Sequence, residues 1–386
     1  MNWEIEKELE EIRDAGLFRE VRALESPQGA AVRRGGLELV NFSSNDYLGL
    51  AASRELEDAL KEGVERFGAG AGASRLVCGS LTPHEELEAE IAAFKRSEAA
   101  LSFSSGYAVA LGVIPALVGK DDVIILDKLC HASLVDAARL SGATVRVFPH
   151  NHLDKLERLL RGARDDGAVG RVLVITESIF SMDGDAAALR DIVELKDRCG
   201  AWLLLDEAHA IGLMGPNGRG LAAQLGLEGR VELQMGTLSK AVGLGGGYLA
   251  ASRQVISLLV NKARSFIYST APPPAVAFAA CESLRLIQGT AGDALRHALR
   301  RNIDCWQSAT GTSSAGAIFP VIVGDESSAV ALSRRLLDEG FLVPAIRYPT
   351  VARGSARLRV TLSASHELVQ IEALAMRLRQ AMAELS

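Results

Sequence analysis

The stretch AWLLLDE (residues 201–207) is a short apolar run that ends in two acids. Other runs of this kind are ALSFSS (100–105), DVIILD (122–127), TVRVFP (144–149), RVLVITE (171–177) and VELQM (231–235). Each is short enough for a buried strand, and helical patterns separate most of them. Alternation of strands and helices predicts an α/β fold whose mostly parallel sheet is flanked by helices on both faces.

Three segments are expected along the chain. Residues 1–44 combine a charged amphipathic helix, expected over residues 3–25, with a turn-rich extended stretch. Residues 45–285 hold the alternating strands and helices and form a large domain. Beyond the proline-rich break STAPPPAV (269–276) and a long helix, the strand-like runs AGAIFPVIVG, GFLVPAIRYP and SARLRVTLSASH have helices between them. Residues 286–386 are therefore predicted to form a smaller α+β C-terminal domain.

Composition excludes several classes of protein. The 386-residue chain carries a formal net charge of −6, whereas a nucleic-acid-binding protein is normally basic. Its five cysteines are scattered and never spaced CxxC, which fits a reducing cytoplasm and predicts neither a zinc site nor a disulfide framework. The N-terminal stretch MNWEIEKELEEIRDAG is acidic and unlike a signal peptide, and no apolar run reads as a membrane span. We therefore expect a cytoplasmic protein without a bound metal.

Two motifs lose their usual interpretation in this context. DEAH (206–209) forms a magnesium site in helicases, but that site needs a GxxxxGK[ST] loop, which the sequence lacks. What remains is an acid, Asp206, at the end of a strand, where open α/β sheets place their binding sites. GAGAGAS (68–74) follows a helix and has the wrong spacing for a dinucleotide fingerprint, so it is interpreted as a flexible turn.

Four polar stretches follow predicted strands, and they indicate a cofactor site only when they are taken together. SFSSGYAVALG (102–112) reads as strand, turn and helix start, whose free amides suit an anion. His131 lies at a helix entrance, where a lone histidine is more often structural, and ESIFSMDGD (177–185) alone reads as a polar loop. GTLSKAVGLGGGY (236–248) places Lys240 in a loop of Ser, Thr and Gly. Pyridoxal phosphate needs a lysine for its aldehyde, a carboxylate at its pyridine nitrogen, amides and hydroxyls for its phosphate and an aromatic group over its ring. The set predicts that Lys240 binds a cofactor covalently.

The chain resembles the α-oxoamine synthases, pyridoxal-phosphate enzymes of fold type I that condense an amino acid with an acyl thioester and release CO₂. The resemblance covers nearly the whole chain and is carried by NFSSNDYLGL, GAGASRLVCGS, HEELE, SFSSGY, HASL, ESIFSMDGD, DEAHAIG, GRG, GTLSK, YST and RLRVTLSASH. It is strongest to the biotin-biosynthesis branch, which implies L-alanine and a pimeloyl thioester of acyl carrier protein or coenzyme A as substrates. It also implies a homodimer with the active site at the interface.

The resemblance implies roles for individual residues. Lys240 would bind the cofactor aldehyde and move the Cα proton, Asp206 would pair with the pyridine nitrogen, and His209 would contact the ring's phenolic oxygen. His131 would stack on the ring and meet the substrate. Further cofactor contacts are expected from Gly106, Tyr107, Ser181 and Thr237, and from Ser269 and Thr270, which would reach the phosphate bound to the partner subunit. Substrate contacts are expected from Asn45 and Arg359 for the amino-acid carboxylate, and from Arg19, Arg347 and Thr350 for the acyl chain.

The acyl substrate has alternatives. Glycine C-acetyltransferase, 5-aminolevulinate synthase and serine palmitoyltransferase share nearly all of these cofactor residues. AIRYPTVARGSARLR (345–359) matches the biotin branch through IR-x-PTV-x-x-G but has Tyr348 and Ala352 where that branch leads us to expect proline. A binding protein that keeps the fold without catalysis is a further alternative, against which the retained Lys240, Asp206 and His209 argue.

Overall fold

A computed structural model of the protein describes residues 3–165 and 170–385. Its strands are β1 (Ala31–Arg34), β2 (Leu37–Asn41), β3 (Ala99–Phe103), β4 (Val123–Asp127), β5 (Thr144–Phe148), β6 (Val172–Glu177), β7 (Trp202–Asp206), β8 (Leu233–Thr237), β9 (Gly247–Ala251), β10 (Ile318–Gly324), β11 (Phe341–Leu342), β12 (Ala345–Ile346) and β13 (Ala356–Thr361).

The α-helices of the same residues are α1 (Ile5–Asp14), α2 (Arg54–Phe67), α3 (Thr82–Lys95), α4 (Gly106–Leu117), α5 (Ala132–Leu140), α6 (Leu153–Asp165), α7 (Leu189–Arg198), α8 (Leu221–Gln224), α9 (Arg253–Lys262), α10 (Arg264–Ile267), α11 (Pro274–Gln288), α12 (Thr290–Thr310), α13 (Glu326–Asp338) and α14 (Leu368–Leu385). No helix within the described ranges has both the length and the apolar character needed to cross a membrane.

The chain forms two compact units, of which the larger comprises Asn45–Ser181 and Asp185–Ala298. Its seven-stranded sheet has the order β3-β9-β8-β7-β6-β4-β5. Neighbouring strands are parallel except at β9, which pairs antiparallel with both β3 and β8. The predicted mostly parallel sheet and its six predicted strands are confirmed, whereas β9 was not predicted.

Both faces of this sheet are covered. Successive side chains of a strand point to opposite faces, so Leu173 and Ile175 of β6 join one apolar cluster and Val174 between them joins the other. All three side chains are buried, as expected for a parallel sheet packed between helices. The continuous apolar character of central strands such as β4 and β6 therefore follows from burial on both sides, whereas the edge strand β5 is largely exposed.

The smaller unit combines the chain up to Ser44, Met182–Gly184 and the chain from Leu299 onward. In one of its sheets β1 and β2 form an antiparallel hairpin and β11 adds to β2 in parallel. In the other, β13 lies between β10 and β12 and is antiparallel to both. The strand-like C-terminal runs are thus strands, and the predicted α+β character of this part of the chain is confirmed.

The first helix is shorter than the sequence pattern indicated. A helix was expected over residues 3–25, but α1 ends at Asp14 and residues 17–24 have no regular secondary structure. The reason is local: Gly16 adopts a left-handed φ of 66°, and the amide of Leu17 donates to the carbonyl of Ile12 at 2.9 Å. A glycine in this conformation closes a helix by capping its last carbonyls.

Candidate active site

Three strands of the larger unit end in polar residues at the same edge of the sheet. Glu177, Asp206 and Thr237 are the last residues of β6, β7 and β8, and Glu177 pairs in register with Asp206. A cavity of about 230 Å³ lies at this carboxyl edge, where open α/β sheets bind their ligands. Its wall is formed by Ser105, Gly106, Tyr107, His131, Ser133, Glu177, Asp206, Ala208, His209, Met235, Thr237, Ser239 and Lys240.

Lys240 enters the cavity from the loop after β8 and joins a chain of hydrogen bonds. Its Nζ lies 2.7 Å from Nε2 of His209, whose Nδ1 lies 2.5 Å from the hydroxyl of Tyr47. That hydroxyl donates to Oδ1 of Asn45 at 3.3 Å. A protonated lysine can only donate, so Nε2 of His209 accepts and its Nδ1–H donates to Tyr47. The chain fixes one tautomer of His209 and links Lys240 to Asn45.

Asp206 is a buried carboxylate facing the same cavity. Its Oδ1 accepts the amide N–H of Ala208 at 2.9 Å. Burial raises its pKa from the usual value, and the nearby ammonium of Lys240 acts in the opposite direction. A cationic partner stabilises a buried carboxylate of this kind, because an unpaired charge is costly away from water.

Glu207, the next residue in the chain after Asp206, holds the backbone at the end of β7 in place. The side chains of Glu207 and Lys95 form an ion pair with no exposure to solvent, and Lys95 also donates to the carbonyl of Arg219. The other carboxylate oxygen of Glu207 accepts the amide of Ala222 at 3.0 Å. Since these contacts hold the backbone next to Asp206, they position its carboxylate.

His131 caps the start of α5. Its Nδ1 accepts the amide N–H of Ser133 at 3.2 Å and lies 2.8 Å from that residue's hydroxyl. Nδ1 is therefore the acceptor and Nε2 carries the proton. Desolvation of the imidazole in the cavity lowers its pKa below 6.5. The ring is thus neutral at physiological pH, which suits a side chain that lies against another ring.

Glu177 lines the cavity but was not among the predicted site residues. Its side chain is buried, and its Oε1 accepts the amide N–H of His131 at 2.5 Å. Burial first, and the carboxylate of Asp206 second, raise the pKa of Glu177 to about 8. Its position at the end of a buried strand, as for Asp206, is a signal that could have identified it.

The opposite wall of the cavity is the start of α4. Ser105 caps this helix by accepting the amide of Ala108 at 3.1 Å, and Gly106 is its first residue. At Gly247 of β9 a Cβ would lie 2.7 Å from the amide nitrogen of Gly106, so only glycine lets the strand approach the helix start. The hydroxyl of Thr237 lines the same wall. Helix-end amides beside a hydroxyl form an anion site.

The cavity brings together seven of the ten predicted cofactor residues: Gly106, Tyr107, His131, Asp206, His209, Thr237 and Lys240. Tyr107 is tied to α5 by a 2.5 Å hydrogen bond to Asp136. The other three, Ser181, Ser269 and Thr270, do not line it. Thr270 is exposed and forms an isolated β-bridge with Ser74.

The residues predicted for the acyl chain meet in the smaller unit. Arg19, Arg347 and Thr350 line a second cavity, of about 520 Å³. Arg347 donates to the carbonyls of Gly16 and Phe18, the latter at 2.7 Å, and Nη2 of Arg19 lies 3.5 Å from the hydroxyl of Thr350.

The two residues predicted to bind the amino-acid carboxylate belong to different units. Arg359 is buried on β13, where it donates to the hydroxyl of Thr361 at 3.0 Å. Asn45 begins the larger unit and accepts from Tyr47.

The cavity of the larger unit fits pyridoxal phosphate chemically. It offers the amine of Lys240 for the aldehyde, the buried carboxylate of Asp206 for the pyridine nitrogen and the neutral imidazole of His131 for the ring face. The amides at the start of α4 offer donors for the phosphate, beside the hydroxyl of Thr237, whose own proton is donated to the carbonyl of Gly246 at 2.8 Å. Each functional group that this cofactor needs is present on one wall or the other.

Comparison with known proteins agrees with this fit. Residues 38–378 match the family described as aminotransferase class I and II. The 8-amino-7-oxononanoate synthase of Geobacter sulfurreducens is 47% identical over 378 residues, which is 96% of each chain. That of Herminiimonas arsenicoxydans is 44% identical over 376 residues, 95% of this chain and 96% of its own. The solved structure of serine palmitoyltransferase from S. paucimobilis with a bound PLP–myriocin aldimine has a TM-score of 0.92 at 29% identity, covering 99% of this chain and 98% of that one. The chain therefore belongs to the aminotransferase class I and II family and, within it, to the α-oxoamine synthases.

Proposed function

We propose that the protein uses pyridoxal phosphate to condense L-alanine with a pimeloyl thioester, releasing CO₂ and forming 8-amino-7-oxononanoate. The observation that carries this proposal is the cavity with Lys240, Asp206 and His131, in a chain that is 47% identical to a synthase of that name. The reaction is a step of biotin biosynthesis. The family's other acyl transfers, such as glycine C-acetylation, are not favoured.

The cofactor, when bound, supplies an electron sink for the negative charge that develops at the Cα of alanine. Asp206 serves this sink by holding a negative charge at the pyridine nitrogen, and its burial makes that charge more effective than it would be in water. The amides at the start of α4, with Thr237 beside them, would hold the phosphate, and His131 would cover one face of the ring. Tyr107 would complete the cofactor contacts on the same wall.

Lys240 has two roles in this proposal. Its amine would hold the aldehyde of the cofactor, and as a free amine it would take the Cα proton of alanine and later return a proton to that carbon. His209 lies 2.7 Å from that amine and is itself held by Tyr47, so the hydrogen-bond chain keeps Lys240 oriented between the two steps. His209 is also the proposed partner of the phenolic oxygen of the ring.

The substrate contacts follow from the charges of the chain. Arg359 and Asn45 are proposed to bind the carboxylate of alanine. Arg347 and Arg19, with Thr350, are proposed to bind the far end of the acyl chain, because pimelate ends in a free carboxylate.

We further infer a homodimer whose partner contributes to the active site, with Ser269 and Thr270 reaching the partner's phosphate and Ser181 beside the cofactor's phenolic edge. Large exposed apolar side chains lie within three residues of the bridge between Ser74 and Thr270, and they support this inference. Val77 is 78% exposed and Tyr268 is 71% exposed. Exposed apolar side chains grouped in this way mark protein interaction surfaces.

The proposal is tested by trapping and by turnover. Borohydride reduction of the yellow protein should fix one pyridoxyl group on the peptide that contains Lys240, and Lys240→Ala should bind the cofactor without a covalent link and lose turnover. Labelling of Lys128 or Lys262 instead would overturn the assignment. Mass analysis of products from alanine, glycine and serine, each with pimeloyl, acetyl, succinyl and palmitoyl thioesters, should find turnover with alanine and the pimeloyl thioester.

A further inference from the structure

Glu177 is a buried group of the cofactor cavity to which the proposed function gives no role. It ends β6 and pairs in register with Asp206, the residue that ends β7. Because side chains alternate between the two faces of a sheet, residues paired in this way on parallel strands point to the same face. Two carboxyl groups therefore lie side by side at this edge, and only that of Asp206 has a proposed partner in the cofactor.

The surroundings of Glu177 make it the neutral member of this pair. Buried carboxyl groups so close together do not both ionise, and Asp206 has the ammonium of Lys240 nearby. Burial, then the charges of Asp206 and Asp127, raise the pKa of Glu177 to about 8 against the opposing effect of Lys240. Its Oε1 accepts the amide N–H of His131, so the proton lies on Oε2. A neutral oxygen acceptor thus holds this amide.

The ring of His131 depends on its backbone for its orientation. His131 precedes α5, and its Nδ1 accepts the amide N–H of Ser133, which fixes the ring to the start of its own helix. The residue lines the cavity and is exposed, so close packing does not hold the ring. The 2.5 Å hydrogen bond to Glu177 ties this helix start to the end of β6. Any shift of the backbone at His131 therefore moves its ring within the cavity.

We propose that Glu177 is a positioning residue that holds His131 over the face of the bound cofactor. This inference rests on the proposed function, in which His131 covers the ring. Glu177 and Asp206 extend from neighbouring strands, so one end of the sheet sets both the partner of the pyridine nitrogen and the partner of the ring face. Without its acceptor the backbone N–H of His131 loses its hydrogen bond, and the helix start is free to move away.

The test measures the Kd of pyridoxal phosphate for cofactor-free chains at pH 6.5, by the absorbance of the bound cofactor. Glu177→Gln keeps a neutral oxygen acceptor and should bind within about twofold of the wild type, whereas Glu177→Met fills the space without an acceptor and should raise Kd about tenfold. Glu177→Asp, which withdraws the acceptor by one methylene group, should also raise Kd and serves if the Met variant does not fold.

Thr176→Val is the matched control. Thr176 is the buried neighbour on the same strand, its side chain points to the opposite face of the sheet, and Val has nearly its shape. This variant should leave Kd unchanged. An increase as large as that of Glu177→Met would mean that any disturbance of β6 weakens cofactor binding, and the proposal would be wrong.

A double-mutant cycle with His131→Ala separates positioning from a general structural role. If Glu177 acts through the ring, Glu177→Met should change Kd less than about twofold once the ring is absent. The visible circular dichroism of the bound cofactor should weaken in Glu177→Met and return in Glu177→Gln. A full tenfold increase in the His131→Ala background, or equal increases for Glu177→Gln and Glu177→Met, would overturn the proposal.

These binding measurements separate this inference from the proposed function. If the chain binds pyridoxal phosphate but turns over no pimeloyl thioester, the proposed function fails, and the Kd values still decide the role of Glu177. Hydrogen exchange of the His131 amide in the cofactor-free chain tests the contact itself. Exchange should be slow in the wild type and in Glu177→Gln and about tenfold faster in Glu177→Met. Equal exchange rates in the three proteins would refute the contact.

Discussion

Replacing Glu177 with Gln should remove a pH dependence of stability that burial of this carboxyl creates. Its pKa is raised from 4.5 to about 8 in the folded chain, by burial and by the carboxylate of Asp206. Between these two values the folded chain keeps a proton that the unfolded chain has lost. Unfolding then releases a proton, so raising the pH favours the unfolded state. Gln keeps an oxygen for the amide of His131 but does not titrate.

The size of the effect follows from one proton. The free energy of unfolding of the wild type should lose about 1.4 kcal/mol per pH unit from this group within that window. From pH 5.5 to 7.5 the stability of Glu177→Gln should therefore rise by about 2.5 kcal/mol relative to the wild type, since the slope falls as the pH approaches the folded pKa. Titrating groups far from Glu177 cancel in this difference.

The assay is urea denaturation of both proteins, without cofactor, at pH 5.5, 6.5 and 7.5. Glu65→Gln, an exposed glutamate of α2, controls for the loss of a glutamate as such. If the difference between Glu177→Gln and wild type stays constant over this range, Glu177 is already ionised in the folded chain at pH 5.5. In that case burial does not govern its protonation, and the assignment of a neutral carboxyl beside Asp206 is wrong.

Three further substitutions test the site and its support. Asp206→Asn keeps the shape but removes the charge, so kcat should fall about a hundred- to a thousandfold, whereas a near wild-type kcat would mean that another acid serves the pyridine nitrogen. Lys95→Met leaves the carboxylate of Glu207 buried and unpaired, so the free energy of unfolding measured in urea should fall by about 3–5 kcal/mol. The double variant Lys95→Met/Glu207→Gln should recover much of this loss. Equal losses in the single and double variants would contradict this reasoning. Arg347→Ala should lower kcat/KM for a pimeloyl thioester by the equivalent of about 1.5–3 kcal/mol, and kcat/KM for a heptanoyl thioester far less. Equal losses for the two thioesters would reject a carboxylate-binding role.

Local sequence predicted most of the large sheet because its central strands are buried on both faces. Runs such as DVIILD and RVLVITE are apolar from Val123 to Leu126 and from Val172 to Ile175, and β4 and β6 occupy them. Strand β9, GYLAA, escaped prediction because three of its five residues are Gly or Ala and because one of the strands that hold it, β3, is distant in sequence. The end of α1 was missed for the opposite reason, since one glycine overrode a helical pattern that continued beyond it.

The sequence by itself determined which chemical groups the protein has and the order in which its strands present them. Asp206 and Thr237 end strands, His131 and Lys240 follow strands, and parallel strands bring such positions to one edge whatever the details of packing. The tertiary structure alone decided the protonation of Glu177, the hydrogen-bond chain from Lys240 through His209 to Tyr47, and the second cavity, which Arg19, Arg347 and Thr350 line together. These properties depend on burial and on distances between residues far apart in the chain, and both are fixed only when the chain packs.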